Sequence, residues 1–187
     1  MKIKLKKFKI VKSTNNVAIK LIKKNFTTPI LIFSEKQTGG RGRVGKKWVS
    51  QKGNLFISIF FKLERKKINI KQFAILNALL IKKIISKDFS KEIKIKWPND
   101  IMFKKHKFCG ILQETIKFNN FDYLIVGIGL NTNVSPKNKD FQSISLKNIV
   151  NRKINNQKIL RDILTMYGKF LDETERLSFS NLKRKYK

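Results

Sequence analysis

Acidic residues are scarce in this chain, because 12 Asp and Glu stand against 43 Lys and Arg and give a formal net charge of +31. An excess of this size favours anionic partners, such as nucleic acid or an acidic protein. The lysines are spread along the whole chain, however, and Phe, Ile and Asn are also abundant, as an AT-rich genome would produce. We therefore favour compositional drift over a dedicated anionic partner, although a positive surface would still attract anions.

Cysteine and histidine occur once each, as Cys109 and His106. A single cysteine excludes an intramolecular disulfide, and one Cys with one His cannot form a structural zinc site. A Ser-His-Asp mechanism would have His106 as its one candidate base, but this residue lies in a predicted hairpin turn and is expected to be solvated. Cys109 is predicted to be a buried free thiol.

Long apolar runs are also missing. The longest, residues 55–61, is interrupted by Ser58 and is far shorter than the roughly 20 residues that a membrane span needs. The first ten residues, MKIKLKKFKI, alternate charged and apolar side chains, unlike the continuous apolar region of a signal peptide. We therefore expect a cytoplasmic protein, and 187 residues with 41% hydrophobic content suffice for one globular domain.

The spacing of apolar and turn residues predicts the secondary structure. Strands are predicted at residues 4–11, 30–34, 55–61, 93–97, 101–103, 108–115 and 123–128. Helices are predicted from an N-cap at Ser13 to about residue 24, at residues 70–85 and at residues 159–171. Polar segments cover residues 36–47 and 131 to about 156, and the basic tail, residues 179–187, is expected to fray. The predicted class is α+β, a mixed, largely antiparallel sheet with helices packed on one face.

Glycine is uncommon, yet four of the nine glycines lie within residues 39–48, GGRGRVGKKW. Such a cluster allows a ligand to approach the backbone, and its consecutive N–H groups can bind an anion. Arg41 and Arg43 alternate with the glycines and offer guanidinium groups to a carboxylate or phosphate, and Trp48 adds an aromatic face.

Three interpretations of this Gly-rich loop compete. Gly40 to Lys46 matches the phosphate-binding pattern G-x-x-x-x-G-K, but Lys47 occupies the position of the Ser or Thr that would hold Mg²⁺. An Arg/Gly-rich nucleic-acid-binding tail would be terminal, whereas this segment lies between two predicted strands. The third interpretation is an ordered nucleotide-binding loop of another kind.

Four further segments contain residues suited to a site. Residues 96–100, KWPND, end a predicted strand, and residues 107–114, KFCGILQE, begin another. Residues 13–15, STN, open a predicted helix, and residues 127–131, GIGLN, end a strand. Taken alone, each has a structural explanation, because Pro98 stops a strand, Ser13 caps a helix and a lysine such as Lys107 is usually solvated.

Together the five segments resemble the biotin–protein ligase family. GRGRVGKKW is similar to that family's signature G-R-G-R-x-G-x-x-W, and Gln37 precedes it as in the family. The elements follow in the family's order from Ser13 to Asn131. The resemblance implies that residues 1–187 form a single catalytic domain of the biotin/lipoate ligase type. The chain departs from the larger family pattern at both ends. Only a strand precedes Ser13, so the N-terminal DNA-binding domain of some members is expected to be lacking, and the sequence ends soon after the last predicted helix, so the C-terminal SH3-like domain is expected to be absent or vestigial.

The resemblance implies a two-step reaction with ATP, Mg²⁺ and biotin. Biotin's carboxylate attacks the α-phosphate of ATP to give biotinyl-5′-AMP, and a carrier lysine then attacks the acyl adenylate. The implied partner is the biotin carboxyl carrier protein of acetyl-CoA carboxylase. The resemblance leaves room for a homodimer, and specific DNA binding is not expected.

The resemblance also assigns roles to individual residues. Lys107, Arg41 and Arg43 are the candidate catalytic residues. Asp100 could orient Lys107 or bind Mg²⁺, and its structural alternative is to cap the turn in which it lies. The candidate biotin-binding residues are Ser13, Thr14, Asn15, Gln37, Gly40, Arg41, Gly42, Arg43, Lys107 and Gly110. The candidate residues for ATP and the adenylate are Arg43, Trp48, Lys96, Asn99, Asp100, Lys107 and Asn131.

Two alternative functions remain open. A lipoate–protein ligase or octanoyltransferase would resemble this fold, but those enzymes lack the GRGRVGKKW pattern. A basic nucleic-acid-binding module would instead use lysines spread over one face, and its binding would be sensitive to salt.

Overall fold

The computed structural model describes residues 2–63, 68–137 and 142–187. In chain order the elements are β1 (Lys4–Val11), α1 (Thr14–Lys23), β2 (Ile30–Gln37), β3 (Leu55–Lys62), α2 (Ile70–Asp88), β4 (Ile93–Lys96), β5 (Asp100–Phe103), β6 (His106–Phe118), β7 (Phe121–Leu130), α3 (Leu146–Val150), α4 (Asn156–Arg176) and α5 (Phe179–Tyr186).

Within the described residues the strands form one seven-stranded sheet in the order β1-β2-β3-β7-β6-β5-β4. β1 runs parallel to β2, and every other neighbouring pair in the sheet is antiparallel. The long hairpin of β6 and β7 lies beside β3, and the short hairpin of β4 and β5 extends the sheet at the edge opposite β1. The predicted α+β class with a mixed, largely antiparallel sheet is therefore confirmed.

Side-chain alternation along the strands gives the sheet two apolar faces. On β2, Leu31 and Phe33 point into the larger core, whereas Ile30 and Ile32 point into a smaller one. The larger core is covered by α2, α4 and α5, and the smaller core is covered by α1 through Ala18 and Ile22. The candidate site lies on the same face of the sheet as α1.

Local sequence accounts for where the helices begin. Asn69 and Gln72 form a capping box at the start of α2, in which each side chain bonds the backbone N–H of the other residue. Asn155 accepts hydrogen bonds from the backbone N–H groups of Gln157 and Lys158, in the first turn of α4. Ser13 occupies the N-cap position of α1, as predicted, but its side chain makes no capping hydrogen bond.

Three expectations need correction. The helices were predicted on one face of the sheet, but α1 packs on the face opposite α2, α4 and α5, because both faces of the sheet are apolar. The polar loop was expected to include Gln37, but β2 continues to that residue because it stays paired with β1 at Val11. The basic tail does not fray, since Leu182 and Tyr186 of α5 are buried in the larger core. Part of the predicted polar stretch after residue 131, residues 138–141, lies outside the described residues.

No helix in the described ranges is long and apolar enough to cross a membrane.

Candidate active site

A cavity of about 400 Å³ opens on the face of the sheet that carries α1. Its walls come from the Gly-rich loop, the first turn of α1, the end of β2 and strands β3 to β7. All the predicted site residues line it except Gly40 and Asn131. The folded chain therefore gathers into one site segments that lie up to a hundred residues apart in the sequence.

Three glycines form the floor of the cavity. Gly110 on β6 lies opposite Gly129 on β7. Gly127 lies two residues before Gly129, on the same face of β7. A Cβ atom at Gly110 would lie 2.7 Å from Cζ3 of Trp48, and one at Gly129 would overlap the same indole ring. A Cβ atom at Gly127 would collide with the amide of Asn15. The glycines are thus required because Trp48 and Asn15 pack directly on the sheet backbone.

The first turn of α1 is joined to β2 by a polar network. The N–H and the hydroxyl of Thr14 both donate to Oε1 of Gln37, at 2.8 and 3.1 Å. Nε2 of Gln37 donates to the hydroxyl of Ser50 at 3.0 Å, and the hydroxyl oxygens of Ser58 and Thr14 lie 2.7 Å apart. The side chains of this network are therefore held in fixed positions at one end of the cavity.

Lys107 lies at the other end, with its ammonium group in the cavity. Its Nζ is 2.7 Å from Oδ1 of Asp100 and 5.2 Å from the centroid of the Trp48 ring, and its side chain is only 13% exposed. The ion pair and the aromatic face hold a positive charge where little water screens it. This ion pair brings Asp100 into direct contact with Lys107, the residue that it was expected to orient.

The two arginines of the loop have separate partners. Nη1 of Arg43 donates to Oδ1 of Asn99 at 3.2 Å, and Nδ2 of Asn99 donates to the carbonyl of Ile111 at 3.1 Å. Nη2 of Arg41 forms an ion pair with Glu114, at 2.6 Å from its Oε2. The arginines are thus placed over the cavity by contacts with β6 and with the turn that follows β4.

Sequence reasoning missed Glu114, Ser50 and Ser58 as parts of this site. Glu114 lies two and four residues beyond Leu112 and Gly110, so the two-residue period of a strand places it on the same face of β6. Ser58 interrupts the apolar run of β3, and it faces Gly127 across the ladder. A polar residue inside an otherwise apolar strand was the available signal.

Several predicted residues lie beside the cavity and do not line it. Gly40 packs against Trp48 and Ser50, where a Cβ atom would lie 2.5 Å from the Trp48 carbonyl oxygen and 2.6 Å from the Ser50 hydroxyl. Asn131 is buried, and its Oδ1 accepts from Nδ2 of Asn54 at 3.5 Å. Cys109 is buried as predicted, and burial raises the pKa of its thiol far above the usual value.

Metal ligands are sparse around the cavity. In the part of the chain that the structure describes, no group of three or more His, Cys, Asp or Glu residues could hold a metal ion. Asp100 is the acidic residue that lines the cavity. The side chains present can therefore contribute at most one or two carboxylate oxygens to a cation that is also bound by a ligand.

The fold and the cavity together define an α+β protein with a cavity that is lined by basic side chains and has a floor of glycines. The family model described as the biotin/lipoate A/B protein ligase family matches residues 7–131, and the chain belongs to that family. The family prediction made from the five motifs is thereby confirmed.

Two curated relatives share substantial sequence with the chain. The bifunctional ligase/repressor BirA of Bacillus subtilis (strain 168) is 30% identical over 167 residues, which cover 86% of this chain and 51% of the relative. The biotin–[acetyl-CoA-carboxylase] ligase of Mycobacterium tuberculosis is 27% identical over 123 residues, covering 63% of this chain and 44% of the relative. The chain thus spans about half the length of the curated relatives it matches.

A solved structure matches nearly the whole chain. The biotin protein ligase from Aquifex aeolicus, in complex with biotin and ATP, superposes with a TM-score of 0.82 and 30% sequence identity. The match covers 98% of this chain and 76% of that one. The seven-stranded sheet and its helices therefore have the architecture of that ligase.

Proposed function

We propose that this chain is a biotin–protein ligase that activates biotin with ATP and transfers it to a lysine of the biotin carboxyl carrier protein of acetyl-CoA carboxylase. The observation that carries the proposal is the convergence, in one cavity, of the Thr14–Gln37 network, the loop arginines and Lys107. The similar ligase solved with biotin and ATP supports it, as do the activities for which the curated relatives are named.

The polar end of the cavity suits the ureido ring of biotin. Ser13 lines the cavity, and its hydroxyl makes no capping hydrogen bond, so this group is available to a ligand. Thr14 and Gln37 are already held in place by each other, which reduces the entropy lost when they bind the ring. Asn15 and the floor at Gly127 complete this end of the cavity.

The cationic end of the cavity suits the reaction itself. Attack of a carboxylate on a phosphate brings two anions together, so positive charge at the meeting point lowers the barrier. Lys107 is held there by Asp100, while Arg41 and Arg43 extend from the loop. Lys96, Asn99 and Gly42 line the same region, where they are proposed to contact the nucleotide and the carboxylate.

ATP would bring Mg²⁺, which supplies further positive charge. Mg²⁺ typically uses one or two carboxylates together with substrate phosphates, and Asp100 fits that limited requirement. Its carboxylate also holds Lys107, so we propose orientation of Lys107 as its main role.

For Trp48 the proposed role is to cover the acyl adenylate. Its ring lies on Gly110 and Gly129, and its Nε1 is buried with no hydrogen-bond partner among the described residues. Buried N–H groups are usually paired, so this one is available to an acceptor on the ligand. A ring in this position would also exclude water, which would otherwise hydrolyse the adenylate.

Exchange of labelled pyrophosphate into ATP tests the proposal. We expect exchange that requires biotin and Mg²⁺, and no exchange with lipoate or octanoate. Exchange with lipoate but not with biotin would instead identify a lipoate ligase. Transfer to purified carrier protein, detected by streptavidin, tests the second step. The same proposal includes a cytoplasmic location, the identity of the carrier protein and a homodimer. Light scattering would measure whether the protein is a dimer.

A further inference from the structure

The carboxylate of Glu114 joins three segments that are far apart in the sequence. Both of its oxygens accept from Nη2 of Arg41, at 2.8 Å for Oε1 and 2.6 Å for Oε2. Oε2 also accepts from Nδ2 of Asn15 at 2.6 Å. Since Arg41 belongs to the Gly-rich loop and Asn15 to the first turn of α1, one side chain of β6 contacts both.

Asn15 gives this carboxylate a rigid anchor. The Asn15 side chain is buried, and its Oδ1 accepts from the hydroxyl of Ser58 while its Nδ2 donates to Glu114. The amide therefore has a partner on each side, and its orientation is fixed. An exposed ion pair between two mobile side chains contributes little order, but here Glu114 is already held by a fixed donor before it meets Arg41.

The position of the loop is set by contacts within it and by contacts with the sheet. A second cavity of about 360 Å³ lies under the same loop, and Arg41 lines both cavities whereas Glu114 lines this second one. The backbone hydrogen bonds from Gly42 to Lys46 and from Trp48 to Gly40 join the loop to itself. The contacts that hold the loop over the sheet include Arg41 with Glu114, Arg43 with Asn99 and the packing of Trp48.

Arg41 can still donate hydrogen bonds to a ligand while it is paired with Glu114. A guanidinium group carries five N–H donors, and Glu114 uses only those on Nη2. The other nitrogens make no hydrogen bond within the described ranges 2–63, 68–137 and 142–187. Glu114 can thus hold Arg41 while the same guanidinium group binds an anionic ligand.

We propose that Glu114 is a positioning residue that holds Arg41, and with it the Gly-rich loop, against the sheet before substrate binds. A carboxylate near a site for anions would otherwise weaken binding through repulsion. Its pairing with Arg41 removes that cost and orders the loop in advance. The kinetic part of the test rests on the proposed function, whereas the structural part does not.

Trp48 reports the state of the loop directly. The chain has two tryptophans, and a Trp97→Phe background leaves Trp48 as the single emitter, because Trp97 is 61% exposed and lies outside the loop. In this background and without ligand, Glu114→Gln should increase acrylamide quenching of Trp48 at least about twofold, as expected for a segment that opens locally. Glu35→Gln makes the same charge change at an exposed position of β2 and should leave quenching unchanged.

A double-mutant cycle assigns the effect to the pair. Arg41→Gln, Glu114→Gln and the double variant should increase quenching to the same extent, because each removes the same contact. Unchanged quenching in Glu114→Gln, or additive effects in the double variant, would overturn the proposal.

Kinetics separate positioning from catalysis. In biotin-dependent pyrophosphate exchange, Glu114→Gln should raise KM for biotin by about tenfold, because a smaller fraction of the free enzyme has the loop in place. The kcat should stay within about twofold, since bound substrate orders the loop itself. A fall in kcat at unchanged KM would contradict a positioning role. If the wild-type protein shows no biotin-dependent exchange, the proposed function fails, and the quenching experiment still decides the role of Glu114.

Discussion

At the scale of single residues, Lys107 offers the most direct test of the proposed chemistry. Replacing it with Ala removes the charge that Asp100 holds in the cavity. We expect the rate of biotin-dependent pyrophosphate exchange to fall by about 10²- to 10³-fold, the usual effect of losing one group that stabilises developing charge. Lys105→Ala, in the exposed turn between β5 and β6, is the matched control and should retain full activity. A folded Lys107→Ala protein with full exchange would refute the assignment.

Cys109 has a measurable effect on stability at alkaline pH. Burial raises the pKa of its thiol in the folded protein, whereas in the unfolded chain it titrates near about 8.5. As the pH rises, the thiol therefore loses its proton in the unfolded chain before it does so in the folded protein. The contribution of the thiol to stability is complete below the pKa of the unfolded chain and declines above it. Between about pH 8.5 and about pH 9.5 the wild-type protein should lose about 1 kcal/mol more than Cys109→Ala.

Urea unfolding at each pH, under reducing conditions, checks this prediction. The lysines titrate in both proteins, so the difference between the two pH slopes isolates the thiol. Parallel slopes for the wild-type protein and Cys109→Ala would show that the thiol becomes accessible without unfolding.

At the scale of elements, α5 is expected to contribute strongly to stability. Tyr186 is 2% exposed, its ring lies edge-on to Phe170 at 5.6 Å, and its hydroxyl donates to Oε2 of Glu173 at 2.8 Å. Tyr186→Ala should lower the free energy of unfolding by about 3–5 kcal/mol, as for other large aromatic residues truncated in a core.

Two variants separate the contributions of this helix. Tyr186→Phe loses only the hydrogen bond to Glu173 and should cost about 1 kcal/mol. Lys183→Ala, on the exposed face of α5, should change stability by less than about 0.5 kcal/mol. Equal effects of Tyr186→Ala and Lys183→Ala in thermal or urea unfolding would mean that the tail does not pack on the core.

The elements that sequence reasoning located share a strong local signal. The continuous apolar run of β3 and the helical stripe of α4 are both strong local patterns, and both lie where predicted. The failures have a different origin, because they depend on contacts between distant segments. α5 has few apolar residues, and its order comes from packing against α2 and α4. Gln37 reads as a loop residue, and pairing with β1 makes it part of a strand.

The same distinction applies to the site. Lys107, Arg41 and Gln37 were named from motifs, and all three line the cavity. Glu114 and Ser58 have no role in those motifs, and their importance appears only when β3, β6 and α1 meet. Asn131 belongs to a motif but is buried beside the cavity. Motifs therefore predict which residues face a ligand better than they predict which residues hold those side chains in place.

At the scale of the whole molecule, the net charge of +31 should act against the folded state. Folding brings 43 basic and only 12 acidic side chains into a small volume, so repulsion between like charges exceeds attraction. The ion pairs of the described residues, such as Lys158 with Asp162 at 3.0 Å and Lys185 with Glu173 at 2.7 Å, engage few of these cations. Salt should therefore screen more repulsion than attraction and stabilise the protein.

Thermal unfolding at increasing salt measures this effect. From about 0.02 M to about 0.3 M KCl the Debye length falls from about 20 Å to about 6 Å, so most pairs of surface charges become screened. A gain of about 1 kcal/mol would raise Tm by about 2–4 °C in a chain of this size. Comparing KCl with NaCl and with tetramethylammonium chloride separates general screening from binding of a particular cation, because screening is the same for all three. A Tm that falls with salt would show that attractive pairs outweigh repulsion, and the excess of lysine would then be part of what holds the fold together.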